Sequence, residues 1–179
     1  MSHALVVFES MYGNNQQIAA AITEGIRAAG LDAECVEVGS APTTLPDDVG
    51  LLVAGCPNHA AGMPRGSDRE SAAKRSDQPL VSQGITLREW FDQLERGRQR
   101  VPAAAWDTRL AKPRFLRWFD RAASGVEKRL RKHGFEVRES SEHFYVTEAT
   151  GPLAGGELDR AHEWGKRLAK LAAREPATA

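Results

Sequence analysis

ALVVFESMYGNNQQIAAAITEGIRAAG, residues 4–30, decides how this chain folds. Leu5 to Phe8 form a continuous apolar run, as expected of a strand buried on both faces of a parallel sheet. Ile18, Ile22 and Ile26 then recur every fourth residue among alanines, which predicts a helix that Gly30 ends. Between them lies the polar turn Ser10–Asn15, opening directly onto the helix N-terminus. Such a terminus presents unpaired N–H groups and about half a positive charge, a setting that favours an anion. Ser10, Tyr12, Asn14 and Asn15 add hydroxyl and amide donors, and Gly13 allows a tight backbone approach. No Lys or Arg stands in the turn, which suits a monophosphate held by neutral donors. The plainer alternative makes Asn14 or Asn15 a simple helix cap.

Working outward, Ala33–Val38 and Val49–Ala54 read as further strands, the latter ending at Gly55-Cys-Pro57. Asn58 to about Gly84 is a polar stretch well beyond ordinary loop length, hence a functional or mobile segment. Ser67 and Glu70 have capping-box spacing and predict one short helix within it. Thr86 and Glu89 form a second capping box, opening a helix with Leu87, Trp90, Phe91 and Leu94 on one face. Val101–Trp106 supply a fourth strand, and a basic helix runs from Arg121 to His133, closed by Gly134. Phe135–Val137 and Phe144–Val146 make an interrupted fifth strand. Leu158, Ala161, Leu168 and Leu171 mark a last helix. This alternation, strand then helix five times over, implies a parallel sheet with helices on both faces. Ligands of such sheets sit beyond the carboxyl ends of the strands.

The 179 residues, 41% hydrophobic, suit a single domain over residues 1–173 with a disordered tail at 174–179. No window has the ~18 apolar residues of a membrane span, and MSHALVVF lacks the build of a signal peptide. Cys35 and Cys56 lie apart, without metal-ligand spacing, and read as reduced thiols of a cytoplasmic protein with no bound metal. Net charge is zero, but residues 1–64 carry net −6 and residues 65–139 net +7. The middle of the chain is therefore where a charged partner would be felt, unless its arginines are only a solvated face.

Known phosphate loops were compared with the first turn. The Walker pattern GxxxxGK[ST] and the dinucleotide fingerprint GxGxxG are both missing. A phospho-accepting receiver needs paired acids after strand one, where only Glu9 stands, and an Asp where Gly55-Cys-Pro57 lies. Val6-Val-Phe-x-Ser-x-x-Gly-x-Asn-x-x-x-Ala-x-x-Ile22 instead resembles the flavodoxin signature, with Asn15 where the family has Thr. That resemblance implies a flavodoxin-like α/β fold with a five-stranded parallel sheet ordered 2-1-3-4-5. It also implies flavin mononucleotide (FMN) as cofactor, its phosphate held by Ser10, Met11, Tyr12, Gly13, Asn14 and Asn15. Pro57, Asn58, His59 and Ala60, after strand three, would lie against the flavin ring. Asp107, Thr108 and Arg109, after strand four, would bond ribityl hydroxyls or ring edges, Arg109 by stacking. His59 is the candidate catalytic side chain, able to stack, donate or shuttle a proton. Phe115, Trp118 and Phe119 either cover the ring or pack a helix, and Cys56 reads as a buried small residue.

Three functions follow from the resemblance. Gly-x-Pro after strand three is similar to the flavodoxin-like NAD(P)H-dependent reductases of small substrates. The alternatives are a flavodoxin-type electron carrier and a flavin-free interaction scaffold. Between Arg96 and Lys132 stand 12 bases and 3 acids, an unfavourable field for the strongly reducing flavin of a carrier. The partners implied are FMN with either NAD(P)H or an acidic redox protein, and no nucleic acid.

Overall fold

A computed structural model describes residues 2–59, 62–95, 101–111 and 121–172. Ala60, Arg114, Phe115, Arg117, Trp118, Phe119 and the tail lie outside the described residues. The elements in order are β1 (His3–Phe8), α1 (Asn14–Ala28), β2 (Ala33–Glu37), β3 (Val49–Pro57), α2 (Gly66–Ala73) and α3 (Leu87–Gln93). They continue with β4 (Pro102–Leu110), α4 (Ala122–Lys132), β5 (Glu136–Val137), β6 (Glu142–Val146) and α5 (Glu157–Ala172). All strand pairs are parallel, in the order β2-β1-β3-β4, with β5 and β6 both on the outer edge of β4 as one interrupted fifth strand.

Strand periodicity sorts the core into two layers. Leu5 and Val7, Leu52, Ala54 and Cys56, and Ala103 and Ala105 face α3 and α4, meeting Leu87, Trp90, Phe91, Val126 and Leu130. Ala4, Val6 and Phe8, Leu51 and Val53, and Ala104 and Trp106 face α1 and α5, meeting Ile18, Ile22, Trp164 and Leu168. The sheet is thus covered on both sides, as its continuous apolar strands require. Helices α1 and α5 approach backbone to backbone. A β-carbon at Gly25 would lie 2.0 Å from the His162 carbonyl oxygen, and one at Gly165 2.2 Å from that of Ile22.

Four details correct the sequence reading. No α-helix joins β2 to β3; a 3-10 turn at Val38–Ser40 serves instead, and α2 and α3 both fall between β3 and β4. The short helix α2 starts from Arg65 rather than Ser67, because the Asp68 carboxylate accepts from the Arg65 N–H at 2.8 Å. Leu158 is 44% exposed, and Trp164 takes the core place expected of it. Strand β4 runs on to Leu110 because Trp106 to Leu110 pair with β6. Asp107, Thr108 and Arg109 are therefore strand residues, not loop residues. The capping box at Thr86 forms as expected, its Oγ1 accepting from the Glu89 N–H at 3.1 Å and Glu89 accepting from the Thr86 N–H at 2.7 Å.

Candidate functional site

A cleft of about 220 Å³ opens at the carboxyl ends of β1, β3 and β4. One wall is the first turn, with Ser10, Met11, Tyr12, Asn14 and Asn15. Pro57, Asn58 and His59 from β3 face Thr108, Arg109 and Leu110 from β4, with Val146 and Ala149 behind.

Gly13 takes φ +86°, a left-handed conformation that glycine adopts without strain, and turns the chain into α1. The two asparagines that follow spend their amides inside the fold. Asn15 Nδ2 donates to the Glu9 carbonyl at 2.7 Å, and its Oδ1 accepts from Trp106 Nε1 at 2.8 Å. Asn14 Nδ2 donates to the Thr150 carbonyl at 2.9 Å, tying the turn to the loop after β6. Tyr12 also points away from the turn, its hydroxyl reaching the Ala72 carbonyl at 3.4 Å. Each of these side chains donates to a carbonyl of the fold, and each asparagine amide keeps a second N–H.

The backbone of the turn adds further donors for an anion. The N–H groups of Met11, Tyr12, Asn14, Asn15 and Gln16 have no hydrogen-bond partner among the described residues. Ser10 Oγ accepts from the Gly13 N–H at 3.1 Å, so its own proton is left to point outward. One hydroxyl, five N–H groups and a 15-residue helix behind them fit a phosphate monoester.

Across the cleft, the Asn58 N–H donates to the Thr108 carbonyl at 2.7 Å, stapling the two strand ends. His59 and Gly62 exchange both backbone bonds at 2.9 Å. The imidazole Nε2 stands 3.6 Å from Asp68 of α2 and is partly exposed at the cleft. Asp107 lies on the other face of the sheet. Its carboxylate is fully buried, takes two bonds from Arg109 at 2.8 and 2.5 Å, one from the Ala123 N–H at 2.9 Å, and meets His143 Nδ1 at 3.1 Å. Burial works to raise its pKa, but His143 and Arg109 outweigh it and hold the carboxyl below the usual range. Asp107 is not among the residues that line the cleft, and it holds the Arg109 guanidinium expected to stack there. Arg109 still lines the cleft and gives it its cation.

Glu9 is the other buried acid at this edge. Arg69 Nε donates to it at 2.9 Å and the Leu87 N–H at 2.8 Å. Burial pushes its carboxyl up against the pull of Arg69. Burial, with the charges of Glu9 and Asp107, also keeps the Cys56 thiol well above its usual value, so Cys56 is inert packing. Sequence reasoning missed Leu110, Val146 and Ala149. The parallel order itself was the available signal, since it brings the end of the fifth strand beside that of the fourth.

A family model described as Flavodoxin matches residues 6–167. No curated protein matches in sequence. Among solved structures, a flavodoxin from the domain Archaea is similar at 15% identity and TM-score 0.62, covering 96% of this chain and 99% of that one. A flavodoxin, WrbA-like protein from Agrobacterium tumefaciens has 15% identity and TM-score 0.61, with 98% and 100% covered. Two-electron reduced Megasphaera elsdenii flavodoxin has 18% identity and TM-score 0.60, with 93% and 98% covered. No helix among the described residues is long and apolar enough to cross a membrane.

Proposed function

Since the chain belongs to the flavodoxin family, an FMN-binding family of electron-transfer proteins, we propose that it is an NAD(P)H-dependent reductase of a small substrate. Bound FMN supplies the hydride and electron chemistry; the protein supplies binding, orientation and field. In this reading the Ser10 hydroxyl and the N–H groups of residues 11, 12 and 14–16 hold the phosphate. Pro57, Asn58 and His59 on one side and Thr108, Arg109 and Leu110 on the other flank the ring. His59 is the side chain placed to exchange a proton with the solvent.

The observation that carries the proposal is the sign of charge at the cleft. No carboxylate lines it among the described residues, and one guanidinium does. The two nearby acids, Glu9 and Asp107, are buried and matched by Arg69 and Arg109. A strongly reducing carrier needs negative charge where the flavin gains its own, since each ~59 mV for one electron corresponds to about 1.4 kcal/mol. A neutral to positive lining favours the charge gained on reduction, and so favours accepting hydride from a nicotinamide. The net +7 of residues 65–139 adds attraction for an anionic dinucleotide. The test is anaerobic addition of NADPH or NADH to the purified yellow protein. Flavin absorbance should bleach without a second protein; bleaching only with a separate reductase present would make the chain a carrier.

A further inference from the structure

Ser10 is gripped on both backbone groups by one residue far along the chain. The Ser82 N–H donates to the Ser10 carbonyl at 2.8 Å, and the Ser10 N–H donates to Ser82 Oγ at 3.0 Å. One step on, the Val81 N–H donates to the Met11 carbonyl at 3.0 Å. Ser82 is fully buried, so these bonds form without competition from water. With its backbone fixed this way, Ser10 keeps its hydroxyl over the start of α1, where Oγ receives the Gly13 N–H.

The segment that carries Ser82 is itself anchored. Arg69 donates to Glu9, the residue before Ser10, and to the carbonyls of Gly84 and Ile85, just after Ser82. Met11, Ala72 and Leu80 form a small apolar cluster with Tyr12 packed on it, filling the space between turn and segment. The polar stretch after β3 is therefore a buttress built against the phosphate turn.

We propose that Ser82 is a positioning residue for phosphate recognition. By clamping Ser10 it fixes the line along which the Ser10 hydroxyl and the Met11 and Tyr12 N–H groups meet a phosphate monoester. It thereby separates FMN from riboflavin, which has the same ring and no phosphate. The inference rests on FMN binding alone and is independent of which donor reduces the flavin.

The experiment is fluorescence titration of the apoprotein with FMN and with riboflavin, and with inorganic phosphate as competitor. Ser82→Ala removes the acceptor for the Ser10 N–H and leaves the second bond in place. FMN affinity should fall on the order of tenfold, as for a lost hydrogen bond to a charged site, while riboflavin affinity changes less than about twofold. Inorganic phosphate should compete correspondingly less well. Ser82→Cys keeps the shape with a weaker acceptor and should give an intermediate FMN-to-riboflavin ratio; it also serves if the alanine variant does not fold. An unchanged ratio, or equal loss of both flavins, would make Ser82 a purely structural residue and overturn the proposal. So would a wild-type protein that binds the two flavins equally. NADPH failing to bleach an FMN-loaded protein would overturn only the reductase reading.

Discussion

Arg69→Met should be the most damaging single change next to the cleft, and its damage should depend on pH. The Arg69 and Glu9 side chains are 7% and 0% exposed. Removing the guanidinium leaves the Glu9 carboxylate with one described donor, the Leu87 N–H. It also strips a partner from the carbonyls of Gly84 and Ile85. Breaking a buried pair from one side costs about 3–5 kcal/mol, and carbonyls left dry cost about 1–3 kcal/mol each. A loss near 5 kcal/mol is a third or more of the roughly 5–15 kcal/mol that holds a domain folded. Burial already holds the Glu9 carboxyl above its ordinary value, with Arg69 the largest opposing influence. Folding therefore takes up a proton between the ordinary and the raised value, and stability falls as pH rises through that window. Without Arg69 the window reaches higher, so the variant should lose more near pH 7 than near pH 5, because lower pH favours the protonated Glu9. Urea unfolding of both proteins at the two pH values measures this, and adding Glu9→Gln to the variant should restore part of the loss. A cost below about 1 kcal/mol, or an equal cost at both pH values, would refute the reasoning.

Asn15→Ala should cost the apoprotein about 1–3 kcal/mol, because Trp106 Nε1 and the Glu9 carbonyl lose their partner. Thermal unfolding checks it; unchanged stability with weakened FMN binding would return Asn15 to the phosphate. Asp107 is held below the ordinary carboxylate range, so its contribution is full above that range and lost as pH falls through the depressed value. Asp107→Asn should therefore flatten the acid limb of stability against pH, an effect that unfolding curves from about pH 5 downward would show. His59→Ala should leave stability within about 0.5 kcal/mol, as for a partly exposed residue. A spectroelectrochemical titration should nonetheless show a shifted flavin potential; an unmoved potential would take His59 away from the ring.

What was legible in the sequence was local. The apolar run before Ser10, the four-residue spacing of the isoleucines and the Thr86 box each depend on neighbours a few residues apart, and each forms as read. The end of β4 was not legible, because Asp107 and Arg109 look like loop residues until each is seen to neutralise the other within the sheet. The burial of Asp107 depends further on His143, 36 positions away. The asparagines' partners in the fold were hidden for a related reason. An amide in a turn looks the same whether it faces a ligand or the fold, and the Trp106 that claims Asn15 is 91 positions distant. Ser82 gave no signal, since one serine in a polar stretch resembles any other.

The close approaches of Gly25 to the His162 backbone and of Gly165 to that of Ile22 bear on how the chain folds. Helix α1 buries its isoleucines partly against α5, which lies far along the chain from it. Until that distant segment docks, α1 carries an uncovered apolar stripe, and the Asn14 bond to Thr150 that braces the first turn cannot form. Pairing α1 with α5 closes a long stretch of chain, a slow step that exposes intermediates to aggregation. A ligand held at the first turn would then report a chain in which this distant pairing is made.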